Sequence, residues 1–254
     1  MNQKISILGC GWLGLALAND LLNKGYDVSG STTSKDRIKE LSDYGISPYL
    51  IDIASIDSVI HEFLNSDLLI IAITSKSVDH FKTLVKYIEK SQVQKVIFIS
   101  STSVYPYTNG IVDENCNTLN KPLVEIEKLF TSNPSFKTTV LRFGGLFGYD
   151  RKPGLFIKQK PIIENPQGYV NLIHRDDCIE IIEQIIMKNL WAEVLNACAA
   201  DHPSRRDFYL KESRKIGLES ISFDENSNNE YKIISSEKLK SLLNYQFKYA
   251  DLMI

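Results

Sequence analysis

Six residues near the start of the chain constrain it most: Gly9-Cys10-Gly11-Trp12-Leu13-Gly14. They follow the apolar run Ile5-Ser6-Ile7-Leu8 and open a helix-period stretch from Leu13 to Asn23, with Gly25 as its stop. The first glycine allows a tight turn, the second lets a ligand approach the backbone, and the third lets helix and strand pack closely. The helix start adds unpaired N–H groups and the positive end of the helix dipole, which favour phosphate. The sequence therefore predicts a dinucleotide site built on Gly9, Gly11 and Gly14 and on the backbone N–H groups of Trp12 and Leu13. The bland alternative is a glycine-rich βα turn that holds nothing.

The alternation continues downstream. Asp27-Val28-Ser29-Gly30 and Tyr49-Leu50-Ile51 read as strands, and Ser34 is predicted to cap a helix over Lys35 to Asp43. Leu68-Leu69-Ile70-Ile71-Ala72-Ile73 and Val96-Ile97-Phe98-Ile99 are continuous apolar runs, as expected of strands buried on both faces. Val78, Phe81, Leu84, Val85 and Ile88 fall at helical spacing, as do Leu123, Ile126, Leu129 and Phe130, and Thr138 to Arg142 reads as a strand. This is an α/β pattern, a Rossmann-type doubly wound parallel sheet. After about residue 150 the rhythm changes. Strand-like pieces at Tyr169 to Ile173 and Val194 to Ala197 flank a helix carrying Ile179, Ile182, Ile185 and Ile186. Pro203 starts another helix, and Ser235 caps a last one over Glu237 to Leu243. The expected organisation is a dinucleotide-binding domain over 1–150 and a small α/β substrate-side lobe over 151–254 that is not an independent domain. An apolar share of 43% in 254 residues supports a core of that size.

Charge and cysteine usage narrow the partners. Lys and Arg total 29 against 31 Asp and Glu, so nothing favours nucleic acid or an anionic membrane. No apolar run reaches the ~18 residues of a membrane span, and the N-terminus does not read as a signal peptide, which points to the cytoplasm. Cys10, Cys116, Cys178 and Cys198 are scattered and lack histidines at ligand spacing, so neither a metal site nor a disulfide framework is expected. The expected partner is a small molecule.

The segment after the second strand, Gly30-Ser31-Thr32-Thr33-Ser34-Lys35 with Arg37 beyond, has no acidic residue to bind a ribose 2′-hydroxyl. The hydroxyls of Ser31, Thr32 and Thr33 and the nearby cation suit a 2′-phosphate. NADP is therefore the expected cofactor, with NAD as the alternative. Asp52 is placed either to accept from an adenine amino group or simply to start the next helix.

Further segments resemble the extended short-chain dehydrogenase/reductase superfamily, which includes the NAD-dependent epimerases and dehydratases. They are Asp52-Ile53, Ile99-Ser100-Ser101-Thr102-Ser103-Val104-Tyr105, Leu141-Arg142-Phe143-Gly144-Gly145-Leu146-Phe147-Gly148 and Asn171-Leu172-Ile173-His174-Arg175-Asp176-Asp177. Their order and spacing match over nearly the whole chain, and the Ser-Ser-x-x-Val-Tyr piece is the most specific. The glycine spacing and the short C-terminal part are similar to an atypical subgroup of small bacterial epimerase-like proteins. The resemblance implies that Ile53, Ile73, Thr74 and Ser100 join Asp52 in the cofactor set, and it is compatible with a homodimer.

The family's chemistry uses a Tyr-x-x-x-Lys pair, and none of the twelve tyrosines has a lysine four residues later. If Glu127 matches the glutamate of the family's helix, Leu119 and Leu123 stand where Tyr and Lys belong. Leucine cannot transfer a proton. Three candidates remain. Ser101 would hydrogen-bond a substrate oxygen. Tyr105 is either a replacement acid or an aromatic wall. His174 is either an acid or base near neutral pH or a structural histidine. Three readings stay open: an NADP-dependent oxidoreductase or epimerase-like enzyme on an unidentified small molecule, a non-catalytic NAD(P)-binding sensor or scaffold, and a nucleotide-sugar epimerase or dehydratase with substituted catalytic residues.

Overall fold

The computed structural model describes residues 3–158, 162–218 and 220–254. The first half runs β1 (Lys4–Leu8), α1 (Trp12–Asn23), β2 (Asp27–Thr32), α2 (Arg37–Asp43), β3 (Ser47–Leu50), α3 (Val59–Phe63), β4 (Leu68–Ile71), α4 (Val78–Ile88) and β5 (Lys95–Ser101). The middle adds β6 (Gly110–Val112), α5 (Pro122–Thr131), β7 (Lys137–Phe143), β8 (Gly145–Phe147), α6 (Pro153–Ile157), β9 (Ile162–Ile163) and β10 (Leu172–His174). The chain closes with α7 (Arg175–Met187), β11 (Val194–Ala197), α8 (Arg205–Lys215), β12 (Ser222–Phe223), β13 (Lys232–Ile234) and α9 (Glu237–Leu243).

Seven strands form one sheet in the order β11-β7-β5-β4-β1-β2-β3. The pairs β1–β2, β1–β4, β2–β3 and β4–β5 are parallel. From β1 the chain builds outward first through β2 and β3, then crosses back to β4. The strand order therefore reverses between β1 and β4, and the crevice outside the carboxyl ends of such strands is where open α/β sheets bind ligands. Strand β4 is Leu-Leu-Ile-Ile and buried throughout, as a strand covered on both faces must be. Helix α1 buries Leu13, Leu17 and Leu21, four residues apart on one face.

The chain divides into two compact units that are interleaved along the sequence. The first comprises Met1–Ser100, Asn120–Leu141 and Ile185–Val194; the second comprises Ser101–Leu119, Arg142–Gln184 and Leu195–Ile254. In the first unit Phe98 stacks on Phe130 at 5.1 Å, with Phe81 edge-on to both. In the second, Phe208 and Tyr209 pack with Ile157, Ile163, Val170 and Leu172. Three short parallel pairs, β8–β10, β6–β13 and β9–β12, belong to this second unit. Among the described residues no helix is long and apolar enough to cross a membrane.

Some local expectations are corrected. Ser34 does not cap α2, which starts at Arg37 behind Asp36. Its N–H is instead held by Thr32 Oγ1 at 3.1 Å, and its carbonyl accepts from Arg37 N. It belongs to the turn leaving β2. The cap position of α9 is Ser236, whose hydroxyl accepts from Cys198 N and donates to Cys198 O. Ser235 supplies only a long 3.4 Å bond to Glu237 N. Tyr169 lies outside the expected strand, in a single antiparallel bridge to Ser204.

Candidate functional site

The glycine loop after β1 is shaped by what a side chain would meet. Gly9 has φ +101°, and a Cβ there would meet Ile73 Cγ2 at 2.5 Å and Ala72 O at 2.9 Å. Only glycine combines that dihedral with that approach to β4. A Cβ on Gly14 would overlap the carbonyl oxygen of Gly9, so this glycine lets α1 close onto the loop. The loop is tied from below by buried Ser31, whose Oγ accepts from Gly9 N at 2.9 Å and whose carbonyl accepts from Cys10 N at 2.8 Å. Gly11 differs from both. It is exposed, and a Cβ there would meet nothing within 4 Å. It occupies the N-cap of α1 with no side-chain cap, and the first turn carries no acidic residue. The positive helix end is thus left open beside bare backbone, as an anion site requires.

A cavity of about 470 Å³ opens here. It is lined from the carboxyl ends of four strands: Gly9 and Gly11 after β1, residues 31–33 at β2, residues 51–53 after β3, and residues 72–75 after β4, with Arg37 at one side. Of the cofactor residues expected from sequence, Gly9, Gly11, Ser31, Thr32, Thr33, Asp52, Ile53, Ile73 and Thr74 line it. Trp12, Leu13 and Gly14 form the first turn of α1 directly beyond Gly11. Ser100 does not line it. Its hydroxyl donates to Glu127 Oε1 at 2.5 Å, with both residues buried. Ile51, Ala72 and Ser75 were not anticipated; their position at strand ends was the available signal.

The polar side of the cavity has a defined arrangement. Arg37 donates from Nη1 to Cys10 O at 2.8 Å and from Nε to Glu40 Oε2 at 2.8 Å. It is thereby held against the glycine loop with its side chain about a third exposed, at 35%. Asp52 Oδ1 accepts from Ala54 N at 2.9 Å, closing the turn after β3. Burial pushes the Cys10 thiol up to about 12, outweighing the pull of Arg37, so the thiol stays neutral. Its sulfur fills the space above Gly30, where a Cβ would meet Sγ at 2.5 Å.

The three catalytic candidates lie in the second unit, in separate surroundings. Ser101 Oγ accepts from Ser103 N at 3.1 Å, which caps a short turn and leaves the hydroxyl proton available. Tyr105 is only 1% exposed. Its hydroxyl donates to Asn196 Oδ1 at 3.0 Å and accepts from Arg142 Nη1 at 2.6 Å, while the guanidinium lies 5.0 Å from the ring centroid. Burial pushes the phenol up, and Arg142 opposes it only in part. The Tyr105 hydroxyl is thus closed in by protein, between Arg142 and Asn196. His174 is buried, its ring stacked on Tyr249 at 3.6 Å, and its Nδ1 accepts from Asp176 N at 3.2 Å. Burial lowers its pKa against the pull of Asp176 and Asp177. Asp177 is fully buried and accepts from Tyr245 Oη and from the N–H groups of Lys248 and Tyr249, so it fastens the C-terminal segment.

A strand-glycine-helix cradle at the reversal point of a parallel sheet defines a dinucleotide-binding class. A family model described as NAD(P)H-binding matches residues 9–167, more than half of the chain, and the chain belongs to that family. It is similar to Protein YeeZ of Escherichia coli K12, with 29% identity over 270 aligned positions covering 99% of this chain and 98% of that protein. A functionally unknown conserved protein from Silicibacter pomeroyi shares the fold at TM-score 0.84 and 18% identity, over 99% of this chain and 96% of that one. So does the UDP-glucuronic acid 4-epimerase of Bacillus cereus in complex with NAD, at 0.79 and 20%, over 98% and 95%. A short-chain dehydrogenase/reductase superfamily protein from Agrobacterium tumefaciens with bound NAD follows at 0.80 and 15%, over 98% and 94%. The chain shares its fold with these epimerase and dehydrogenase/reductase structures.

Proposed function

We propose that this chain is an NADP(H)-dependent oxidoreductase of the short-chain type acting on a small molecule. The observation that carries the cofactor choice is the end of β2, where Thr32, Thr33 and Arg37 line the cavity, residues 30–35 carry no carboxylate, and Glu40 is turned to Arg37 Nε. A carboxylate there would repel a 2′-phosphate; a fixed guanidinium pairs with it. Gly11 and the first turn of α1 would hold the diphosphate, and Ile51, Ile53 and Ile73 would flank the adenine side. The bound nicotinamide supplies the hydride acceptor or donor. Of the candidates on this chain, Ser101 alone combines partial exposure with a hydroxyl proton free to donate, so it is the group proposed to hold a substrate oxygen. The enclosed phenol of Tyr105 takes no part.

A second reading is a binding protein without turnover. It is favoured by the engagement of Tyr105 with Arg142 and Asn196, and by Leu119 and Leu123 at the proton-relay positions. A panel of aldehydes, ketones and sugar nucleotides, followed at the reduced-nicotinamide absorbance, separates the two. Turnover that falls in Ser101→Ala while NADPH affinity holds supports the enzyme. Tight NADPH binding with no turnover across the panel supports the sensor.

A further inference from the structure

The second unit contains a cavity of about 360 Å³ that the dinucleotide site does not use. That volume is within the range of small-molecule pockets. Much of its lining is aromatic. The His174 ring lies 3.6 Å from Tyr249, 5.1 Å from Phe147 and 5.5 Å from Tyr149, centroid to centroid. Tyr149 and Tyr249 both donate to the Asp176 carboxylate, at 2.8 and 3.3 Å, so their rings are fixed although 56% and 40% exposed. Tyr149 also holds φ +56°, a dihedral that costs a bulky side chain energy and that clusters at ligand sites. Exposed rings already locked in place lose little freedom when another ring stacks on them.

The polar lining is predominantly basic: Lys152, Lys211 and Lys215 against Glu212 and Asp251. Glu212 is committed to Lys215 at 3.3 Å and Lys211 at 3.7 Å, and Asp251 accepts from Met253 N at 2.6 Å. Lys211 Nζ donates to the Leu252 carbonyl and, together with Lys215 Nζ, to the main-chain oxygen of Ile254. Lys152 forms no ion pair among the described residues. Burial and the neighbouring Lys215 hold Lys211 below the ordinary lysine value, which an incoming anion would relieve.

We infer that this cavity is a second ligand site, for a small carboxylate that carries an aromatic ring. The ring would pack on the exposed Tyr249 and against the edge of Tyr149, whose face carries the Arg175 guanidinium at 4.1 Å, and the carboxylate would pair with Lys152. The inference does not depend on which nicotinamide cofactor is bound. The test is ligand-observed NMR titration of the full chain with indole-3-carboxylate and, separately, indole-3-carboxamide, each with and without saturating NADPH. The expected result is that the carboxylate binds about tenfold tighter than the amide or better, the difference a charged contact supplies, and that NADPH does not displace it. Lys152→Gln, at an exposed position, should bring the carboxylate down to the affinity of the amide. Tyr149→Asn, which tolerates the same dihedral, should weaken both. Absence of binding, equal affinity for acid and amide, wild-type affinity in Lys152→Gln, or displacement by NADPH would each overturn the inference.

Discussion

Replacing Gly11 by alanine separates binding from folding. The added methyl meets nothing within 4 Å, and the backbone keeps a negative φ of −78° in extended geometry. The change at an N-cap therefore costs about 0.5–1 kcal/mol of stability. For a chain of this size that is roughly 1–4 °C in Tm. The same methyl, however, would stand where the diphosphate must meet bare backbone. Losing one charge-assisted N–H bond at roughly 1.5–3 kcal/mol predicts an NADPH affinity lower by about tenfold to about 150-fold. Gly14→Ala is the contrast, because its Cβ overlaps Gly9 O and cannot be accommodated without moving α1. It should lose about 1–3 kcal/mol or more in urea unfolding. Calorimetric NADPH titration and urea denaturation on both variants give the comparison. Wild-type NADPH affinity in Gly11→Ala, or a stability loss there as large as in Gly14→Ala, would refute the reasoning.

Other outcomes follow from single contacts. Arg37→Gln should lower NADPH affinity about tenfold or more while leaving NADH affinity unchanged; parallel losses for the two nucleotides would remove Arg37 from the 2′-phosphate. Tyr105→Phe strips a hydroxyl from between Arg142 and Asn196, so urea unfolding should show a loss of about 1–3 kcal/mol with NADPH affinity intact, and unchanged stability would contradict the buried network. His174 has a folded-state pKa below 6.5, set by burial and nearby Arg175 against Asp176 and Asp177. Between that value and 6.5 the unfolded chain binds more protons, so stability rises with pH across the window and falls as the solution is acidified through it. The urea midpoint of His174→Gln should lose that slope relative to wild type, and identical pH profiles would rule out the histidine as its source.

What the sequence revealed depended on how local the physics was. The glycine loop was legible because turn, cradle and helix packing are each set by a residue within six positions. Strands such as β4 were legible because burial on both faces demands an unbroken apolar run. Helices α1 and α4 announced themselves by spacing. The second unit was harder to read. Its strands are two or three residues long and pair across large separations, as Lys232 does with Gly110. No periodicity fits in so few residues. The role of Tyr105 stayed open for a related reason: its partner Asn196 lies 91 residues away. A tyrosine in a family-like motif gives no sign of whether its hydroxyl meets water or a buried amide. Ser34 was read as a helix cap because serine there serves either a turn or a helix start, and Thr32 decided in favour of the turn. The cavity around Tyr149 and Tyr249 draws on residues a hundred positions apart, and no local pattern joins them.

The most direct measurement is a titration of the purified chain with NADPH and NADH, followed by calorimetry and by thermal unfolding. Saturable binding of one dinucleotide per chain is expected, tighter for NADPH. At a hundred times Kd it should add about 2.7 kcal/mol of stability, or roughly 5–10 °C in Tm. Neither heat of binding nor a shift in Tm with either nucleotide would contradict a diphosphate seated on the loop between β1 and α1.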